Sequence, residues 1–267
     1  MTLTYTARPW SPSYAAQGAA VEDYCVADPA APAARWAYER ASIGIVLTGW
    51  FDYSSNGRSV FVGPGTLLLG NAGEPFAVRH ADARGTRRLV VALGQELMME
   101  VASEAGLPPR FRASTVPPGP SAAYVGALMR ALPIGSDDAL YLLAEAALRA
   151  PCQAEVPPST AADRARVQNV VRQMQARLDQ SWPLQSLAAI AGVSRFHFVK
   201  MFSSVMGITP NRYLINMRLR AAADLLITTR TPIAEVIYEV GFNDVSHFYS
   251  CFRDTFHCTP QQWRLRA

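Results

Sequence analysis

The last hundred residues of the chain contain an internal repeat of about 50 residues. When the two copies are aligned, aromatic residues coincide with aromatic residues, and helix-breaking residues coincide with helix-breaking residues. At a shift of 50 positions these pairs are Phe198 with Phe248, Phe202 with Phe252 and Thr209-Pro210 with Thr259-Pro260, and at a shift of 49 Gly192 with Gly241. Apolar residues recur at helical spacing on both sides of each glycine, so each copy predicts a short helix, a tight turn and a second helix. The repeat therefore limits this part of the chain to an all-α domain.

The first copy, at about residues 184–206, predicts a helix-turn-helix unit. Ser194 precedes its second helix, where a hydroxyl can cap free backbone amides. Because Phe198 and Phe202 turn inward, the opposite side is predicted to present Arg195, Phe196, Val199 and Lys200. A helix fits the major groove of B-DNA, where basic side chains bond to guanine or phosphate and apolar side chains contact thymine methyl groups.

The second copy, at about residues 232–256, predicts a similar unit whose outward side carries no permanent charge. That side consists of Val245, Ser246, Tyr249 and Ser250, with His247 near its edge. We therefore expect stronger base reading from the first unit, and more positioning from the second through hydroxyls and through Arg253 on phosphate. The alternative for both copies is a packing motif of an all-α domain that has no DNA partner.

Charge is unevenly distributed along the 267 residues. Residues 1–160 hold 12 Lys/Arg against 14 Asp/Glu, a net −2, whereas residues 161–267 hold 13 against 7, a net +6. This imbalance favours contact between the C-terminal part and a polyanion such as nucleic acid, although an arginine-rich surface can also serve solubility alone.

The N-terminal part predicts a β-rich domain followed by helices. Short β-type runs between residues 36 and 94 are separated by turn signals, among them Asn56-Gly57 and Pro64-Gly65, which favour a small β-barrel or sandwich. Helices are predicted at 95–105, 121–132 and 138–150, and the proline-rich residues 151–162 predict a linker. Domain boundaries are thus expected at 1–150, 151–162 and 163–267.

The chain is expected to be cytoplasmic. Its first twenty residues lack the apolar core of a signal peptide, and no apolar run is long enough to cross a membrane. Its four cysteines are scattered without close spacing, which is typical of reduced thiols.

The C-terminal residues resemble the AraC/XylS-type DNA-binding domain over about 163–266. The residues that carry the resemblance include Leu187-Ala188, Gly192-Val193-Ser194, Thr209-Pro210, Arg218, Pro232-Ile233, Gly241-Phe242, Thr259-Pro260 and Trp263-Arg264. The resemblance implies base-facing positions at Phe196, Val199 and Lys200 in the first unit, and at Val245, Ser246, His247 and Ser250 in the second. At Val199 and Ser250, family members often place Arg or Gln, so the target sequence does not follow from the resemblance.

The N-terminal layout resembles the cupin-like regulatory domain of many AraC-type regulators, most clearly at 64–69. The resemblance implies a small-molecule effector pocket inside a β-barrel, and helices that mediate dimerisation. Aromatic residues that are candidates for the pocket lining are Tyr38, Trp50, Tyr53, Phe61 and Phe76. Plain core packing is the alternative for each of them.

A cupin-type metalloenzyme with an appended DNA-binding domain is the competing hypothesis. It needs clustered histidines, whereas residues 1–180 contain only His80, and a site built from His80, Glu74 and Asp82 would lack ligands. Cys251 and Cys258, near His247 and His257, suggest zinc only weakly, since the spacing places Cys251 at an inward helical position. No catalytic triad, carboxylate pair or phosphate-binding loop is evident.

The sequence as a whole therefore predicts an α+β protein with a cupin-like β-barrel and accessory helices, followed by an all-α domain with two helix-turn-helix units. We expect a transcriptional regulator, an activator in the AraC family, that binds double-stranded DNA without a cofactor or a metal and is not an enzyme. A small-molecule effector, a second copy of the chain and RNA polymerase are its expected partners, and no membrane is expected.

Overall fold

The computed structural model describes residues 4–9, 18–26, 33–81, 85–131, 137–151 and 159–265. The chain divides into two compact units. Residues 1–117 and 132–154 form the N-terminal unit, and residues 118–131 and 155–267 form the C-terminal unit. Most of the predicted linker, residues 152–158, lies outside the described residues.

The described residues of the N-terminal unit form two antiparallel sheets and two helices. Its strands are β1 (Thr4–Pro9), β2 (Gly18–Val26), β3 (Ala34–Ala37), β4 (Ala41–Thr48), β5 (Phe51–Ser55), β6 (Arg58–Val62), β7 (Leu67–Gly70), β8 (Pro75–His80), β9 (Thr86–Leu93) and β10 (Thr115–Val116). One sheet has the order β1-β2-β9-β4-β7-β10 and the other the order β3-β8-β5-β6. The helices of this unit are α1 (Gln95–Ala105) and α3 (Asp137–Leu148), which pack on each other.

The two sheets share one hydrophobic core. Val46 and Leu68 from the larger sheet pack with Phe51, Tyr53 and Val78 from the smaller one. The turn at Asn56-Gly57 has positive φ at both residues, as the hairpin signal predicts, and joins β5 to β6. The described strands thus form two sheets and not one closed barrel, so the mixed sheet-and-helix architecture is confirmed at this coarser level.

The C-terminal unit is entirely helical over the described residues. Its helices are α2 (Pro120–Ala131), α4 (Ala161–Ala176), α5 (Leu184–Ala191), α6 (Arg195–Met206), α7 (Pro210–Thr228), α8 (Ile233–Glu239), α9 (Val245–Phe256) and α10 (Pro260–Arg264). Helices α5 and α6 form the first predicted helix-turn-helix unit, and α8 and α9 form the second. Helix α7 runs between them and contacts α6, α8 and α9.

Threonine-proline pairs begin two of these helices. Thr209 and Thr259 are the N-caps of α7 and α10, each with proline at the first helical position. The Thr231-Pro232 pair differs by one residue, because Pro232 itself is the N-cap of α8. Pro183 is likewise the N-cap of α5, so the two copies of the repeat begin in the same way.

Candidate nucleic-acid interface

The second helix of each unit, α6 or α9, is termed its reading helix. Both helices start with three exposed residues, bury Phe198 or Phe248 as the fourth, and bury Phe202 or Phe252 four residues later. Equivalent residues along the twelve positions of the two helices have the same degree of burial or differ by one step. Where they differ, one of the two residues is half-buried. Each unit therefore packs one side of its reading helix into the core and leaves the other side open.

The first reading helix exposes most of the residues predicted for it. Arg195, Phe196 and Lys200 are exposed, and Val199 is half-buried. Phe196 has 84% of its surface open, which is unusual for so large an apolar side chain. The helix starts at a capping hydroxyl, since Ser194 Oγ accepts a hydrogen bond from the backbone amide of His197 at 3.3 Å.

The second reading helix also presents its predicted residues to solvent. The exposed set is Val245, Ser246, His247, Ser250 and Arg253. Its cap is a carboxylate, because Asp244 Oδ1 accepts a hydrogen bond from the backbone amide of His247 at 3.0 Å. Asp244, which is exposed, precedes this set in the sequence, and Tyr249, which is half-buried, precedes Ser250. An acidic N-cap stabilises the helix through its dipole, but it places a negative charge beside the side that would meet phosphates.

The glycines of the two predicted turns have left-handed backbones. Gly192 has φ 67° and Gly241 has φ 90°. At Gly241 the space is also closed, because an added Cβ would lie 2.7 Å from the Leu178 carbonyl oxygen and 2.8 Å from Arg218 Nη2. No heavy atom lies within 4 Å of a Cβ added at Gly192.

Arg218 of α7 fixes the chain segment that passes this second turn. Its Nε donates to the Leu178 carbonyl at 3.1 Å, and its Nη2 donates to the Gln180 carbonyl at 2.6 Å. Burial lowers the pKa of Arg218, and the negative charge of Asp179 partly offsets this by raising it. An arginine remains charged in proteins, so these hydrogen bonds are charge-assisted.

Three of the five predicted pocket residues come together in the N-terminal unit. The Tyr38 and Tyr53 hydroxyls are 2.8 Å apart, and the Tyr38 ring stacks on Phe76 at a centroid distance of 4.3 Å. Burial raises the pKa of both tyrosines, so the pair is uncharged at neutral pH. Trp36, which the sequence reasoning missed, stacks on Phe76 and is 41% exposed.

The other two predicted pocket residues lie elsewhere. Trp50 stacks on Phe61 at 5.4 Å. Phe61 pairs with Asp52, whereas Tyr53 pairs with Val60, so Phe61 and Tyr53 point to opposite faces of the smaller sheet. Both Trp50 and Phe61 are buried.

Two of the three residues considered as metal ligands in the N-terminal unit make other contacts. His80 is buried, with its ring 6.1 Å from that of Phe51. Glu74 accepts a hydrogen bond from Arg110 Nη2 at 3.1 Å, and Asp82 is outside the described residues. Within the described ranges, no group of three His, Cys, Asp or Glu side chains is placed to hold a metal ion.

The cysteines of the C-terminal unit are free thiols. Cys258 is buried and Cys251 is half-buried, and burial, followed by the charge of Asp254, raises the pKa of the Cys251 thiol. No helix in the described part of the chain is long and apolar enough to span a bilayer.

Two sequence families match the chain. The AraC-like ligand binding domain matches residues 34–151, and a helix-turn-helix domain matches residues 187–266. The chain is similar to the RCS-specific HTH-type transcriptional activator RclR of Escherichia coli K12, with 35% identity over 102 residues, which are 38% of this chain and 36% of RclR. It is also similar to the HTH-type transcriptional regulator GbdR of Pseudomonas aeruginosa, with 33% identity over 99 residues, which are 37% of this chain and 27% of GbdR. The chain thus spans about a third of the length of these relatives.

Solved structures also resemble the chain. The DNA-binding domain of AdpA, in complex with a target DNA, is 29% identical, and the likeness covers 38% of this chain and 90% of that one with a TM-score of 0.37. ToxT from Vibrio cholerae is 12% identical, and the likeness covers 100% of this chain and 99% of that one with a TM-score of 0.36.

Proposed function

Because the chain belongs to the AraC/XylS family of transcriptional regulators, we propose that it controls transcription by binding a specific DNA sequence with α6 and α9. The observation that carries the proposal is the matching exposure of the two reading helices. Each helix is anchored by buried phenylalanines, and each leaves the same positions open. The two helices are expected to enter successive major grooves, about 34 Å apart along one side of the duplex.

The two reading helices are proposed to recognise DNA in different ways. Arg195 and Lys200 give α6 two exposed cations, and Phe196 offers an apolar surface to thymine methyl groups. Helix α9 contributes Ser246, Ser250 and His247 as neutral hydrogen-bonding groups, with Arg253 on phosphate. Val199 and Val245 add apolar contacts.

Selection of duplexes from a random pool by the full chain, followed by footprinting, tests this proposal. We expect two protected segments one helical turn apart. Arg195→Ala with Lys200→Ala should remove one segment, and Ser246→Ala with Arg253→Ala should weaken the other. Failure to enrich any sequence, or loss of both segments equally with each pair, would contradict it.

We further propose that the N-terminal unit binds a small-molecule effector beside Tyr38, Tyr53 and Phe76. The convergence of these three rings, with Trp36 partly open at their edge, supports this site. Trp50 and Phe61 would not line this site and would pack on the other face of the smaller sheet. The shared core of two antiparallel sheets supports a cupin-like fold, since cupins are double-sheet jelly rolls. A thermal-shift screen of small metabolites tests the site, and a hit that Phe76→Ala does not weaken would place the ligand elsewhere.

Membership of the family supports the remaining parts of the proposal, namely a homodimer that activates transcription with RNA polymerase and performs no catalysis itself. Light scattering of the full chain tests the dimer. Transcription in vitro from a promoter carrying the selected sequence tests activation, and reduced transcript in the presence of the protein would indicate repression instead.

A further inference from the structure

Helix α2 belongs to the C-terminal unit, although the chain segments on both sides of it belong to the N-terminal unit. Most of its side chains are buried, including Val125, Leu128 and Met129. It packs against α7 and against the second reading helix, α9. The C-terminal unit therefore includes a helix that precedes the repeat in the sequence.

Two contacts of different chemistry hold α2 in place. The Tyr124 ring lies 6.4 Å from Phe256, 5.5 Å from His257 and 6.4 Å from Trp263, measured between ring centroids. At the other end of the helix, Arg130 Nη1 lies 3.2 Å from Asp224 Oδ2 of α7. Six residues of helix separate the two contacts by about 9 Å, so together they fix both the rotation and the height of α2.

The residue that Tyr124 meets at the end of α9 has an unusual backbone. His257 caps α9 with φ 57°, a left-handed conformation that residues with a Cβ disfavour. At the equivalent position of the first unit, Gly207 caps α6 with φ 73° and has no side chain. The second unit thus keeps a ring at a position where glycine would fit with less strain, and that ring lies edge-on to Tyr124 at an interplanar angle of 76°.

We propose that α2 positions the second reading helix through the Tyr124–His257 contact, so that Tyr124 and His257 are positioning residues for DNA recognition by α9. This inference rests on the proposed function. Because the chain segments on both sides of α2 belong to the N-terminal unit, a displacement of α2 would reach α9 through the Tyr124–His257 contact, whereas Gly207 at the equivalent cap of α6 has no side chain to make such a contact.

The test compares His257→Gly, Tyr124→Ala and Tyr124→Phe in the full chain. The probe is a duplex selected by the wild-type chain, together with two versions in which one or the other half is scrambled. In the wild type, each scrambled half should lower affinity. In His257→Gly and Tyr124→Ala, the loss of affinity caused by scrambling the half protected by α9 should become smaller by on the order of tenfold, which is within the usual range for coupling between sites. The loss of affinity caused by scrambling the other half should stay the same as in the wild type.

Two controls separate positioning from folding. Tyr124→Phe keeps the ring and should behave as the wild type. His257→Gly should melt close to the wild type, because glycine adopts the left-handed conformation readily. Wild-type losses of affinity for both scrambled halves in His257→Gly, or equal changes in both, would overturn the inference while leaving the proposed function intact. A chain that selects no duplex would overturn the proposed function and this inference with it.

Discussion

At the residue scale, the two reading helices expose side chains at equivalent positions in their first two turns, but the side chains at those positions differ in charge. Position 195 is arginine where position 245 is valine, and position 200 is lysine where position 250 is serine. Lys200 is the only lysine in the chain, and its side chain is exposed on the outer side of α6. A cation there can read guanine or hold a phosphate, and the two roles differ in their dependence on sequence.

Lys200→Ala is expected to weaken binding to the selected duplex by about 1–3 kcal/mol and to relax the preference at one base pair, because a side chain that reads a guanine discriminates among bases. Titrations against single-base variants of the duplex measure both effects. Arg149→Ala, which removes the same charge from the ion pair with Glu145 in the N-terminal unit, serves as the control. A uniform loss for every duplex would assign Lys200 to phosphate.

Gly241→Val is expected to destabilise the C-terminal unit by about 2–4 kcal/mol, since the new side chain combines a left-handed backbone with a collision. The collision is with the Leu178 carbonyl, which is backbone and cannot rotate away. Urea unfolding measures the change. Gly192→Val tests the same backbone conformation in open space, and we expect it to cost only about 1–2 kcal/mol. Equal losses for the two variants would refute the role of the close approach.

At the element scale, similar sequence signals at helix starts correspond to different hydrogen bonding. Thr259 forms a capping box, in which its Oγ1 accepts from the Gln262 amide at 3.2 Å and its own amide donates to Gln262 Oε1 at 2.8 Å. Thr209 begins α7 with the same Thr-Pro pair but makes no side-chain cap bond. Only α10 has a glutamine as its third residue, so only there does a side chain return a hydrogen bond to the amide of the capping threonine.

Thr259→Ala is therefore expected to lower the free energy of unfolding of the C-terminal unit by about 1 kcal/mol, whereas Thr209→Ala should lower it by only a few tenths. The stability of both variants can be compared by thermal melting. Helix α10 also carries Trp263, whose Nε1 donates to the Ala223 carbonyl at 3.2 Å, so fraying of α10 should loosen the contact with α7. A larger loss at Thr209 than at Thr259 would contradict this account.

At the scale of the whole molecule, the separation of charge along the sequence favours the C-terminal unit for the proposed contact with DNA. The C-terminal residues carry the net positive charge, and three cations stand exposed on the reading helices, namely Arg195, Lys200 and Arg253. Other charged side chains of the same unit pair with one another instead. Asp224, whose pKa burial raises, is paired with Arg130 and lies near Arg220.

Affinity for the selected duplex is expected to fall steeply as salt rises. If the three exposed cations each neutralise one phosphate, the slope of log K against log salt concentration should be about −3 or steeper. Fluorescence anisotropy between low and moderate salt gives this slope, and Arg253→Ala should make it shallower by about 1. A flat plot would show that the basic excess of residues 161–267 does not meet phosphates.

The sequence by itself determined the features that depend on local chemistry. The repeat predicts both helix-turn-helix units, since apolar spacing, capping residues and turn glycines act over a few residues. The exposure of Arg195, Phe196 and Lys200 also follows from spacing, because burying Phe198 and Phe202 leaves only one side of the helix open. The hairpin at Asn56-Gly57 follows for the same reason.

The tertiary structure alone decided features that depend on distant partners. Apolar residues recur at helical spacing from Val167 to Leu178, but α4 ends at Ala176, and beyond it Arg218 binds the Leu178 and Gln180 carbonyls. The sequences of strands β2 and β3 lack a clear alternation of apolar and polar residues, and hydrogen-bonded pairing with β9 and β8 stabilises them. The assignment of α2 to the C-terminal unit, and the division of the predicted pocket residues between two faces of a sheet, also come from long-range packing, which no local pattern encodes.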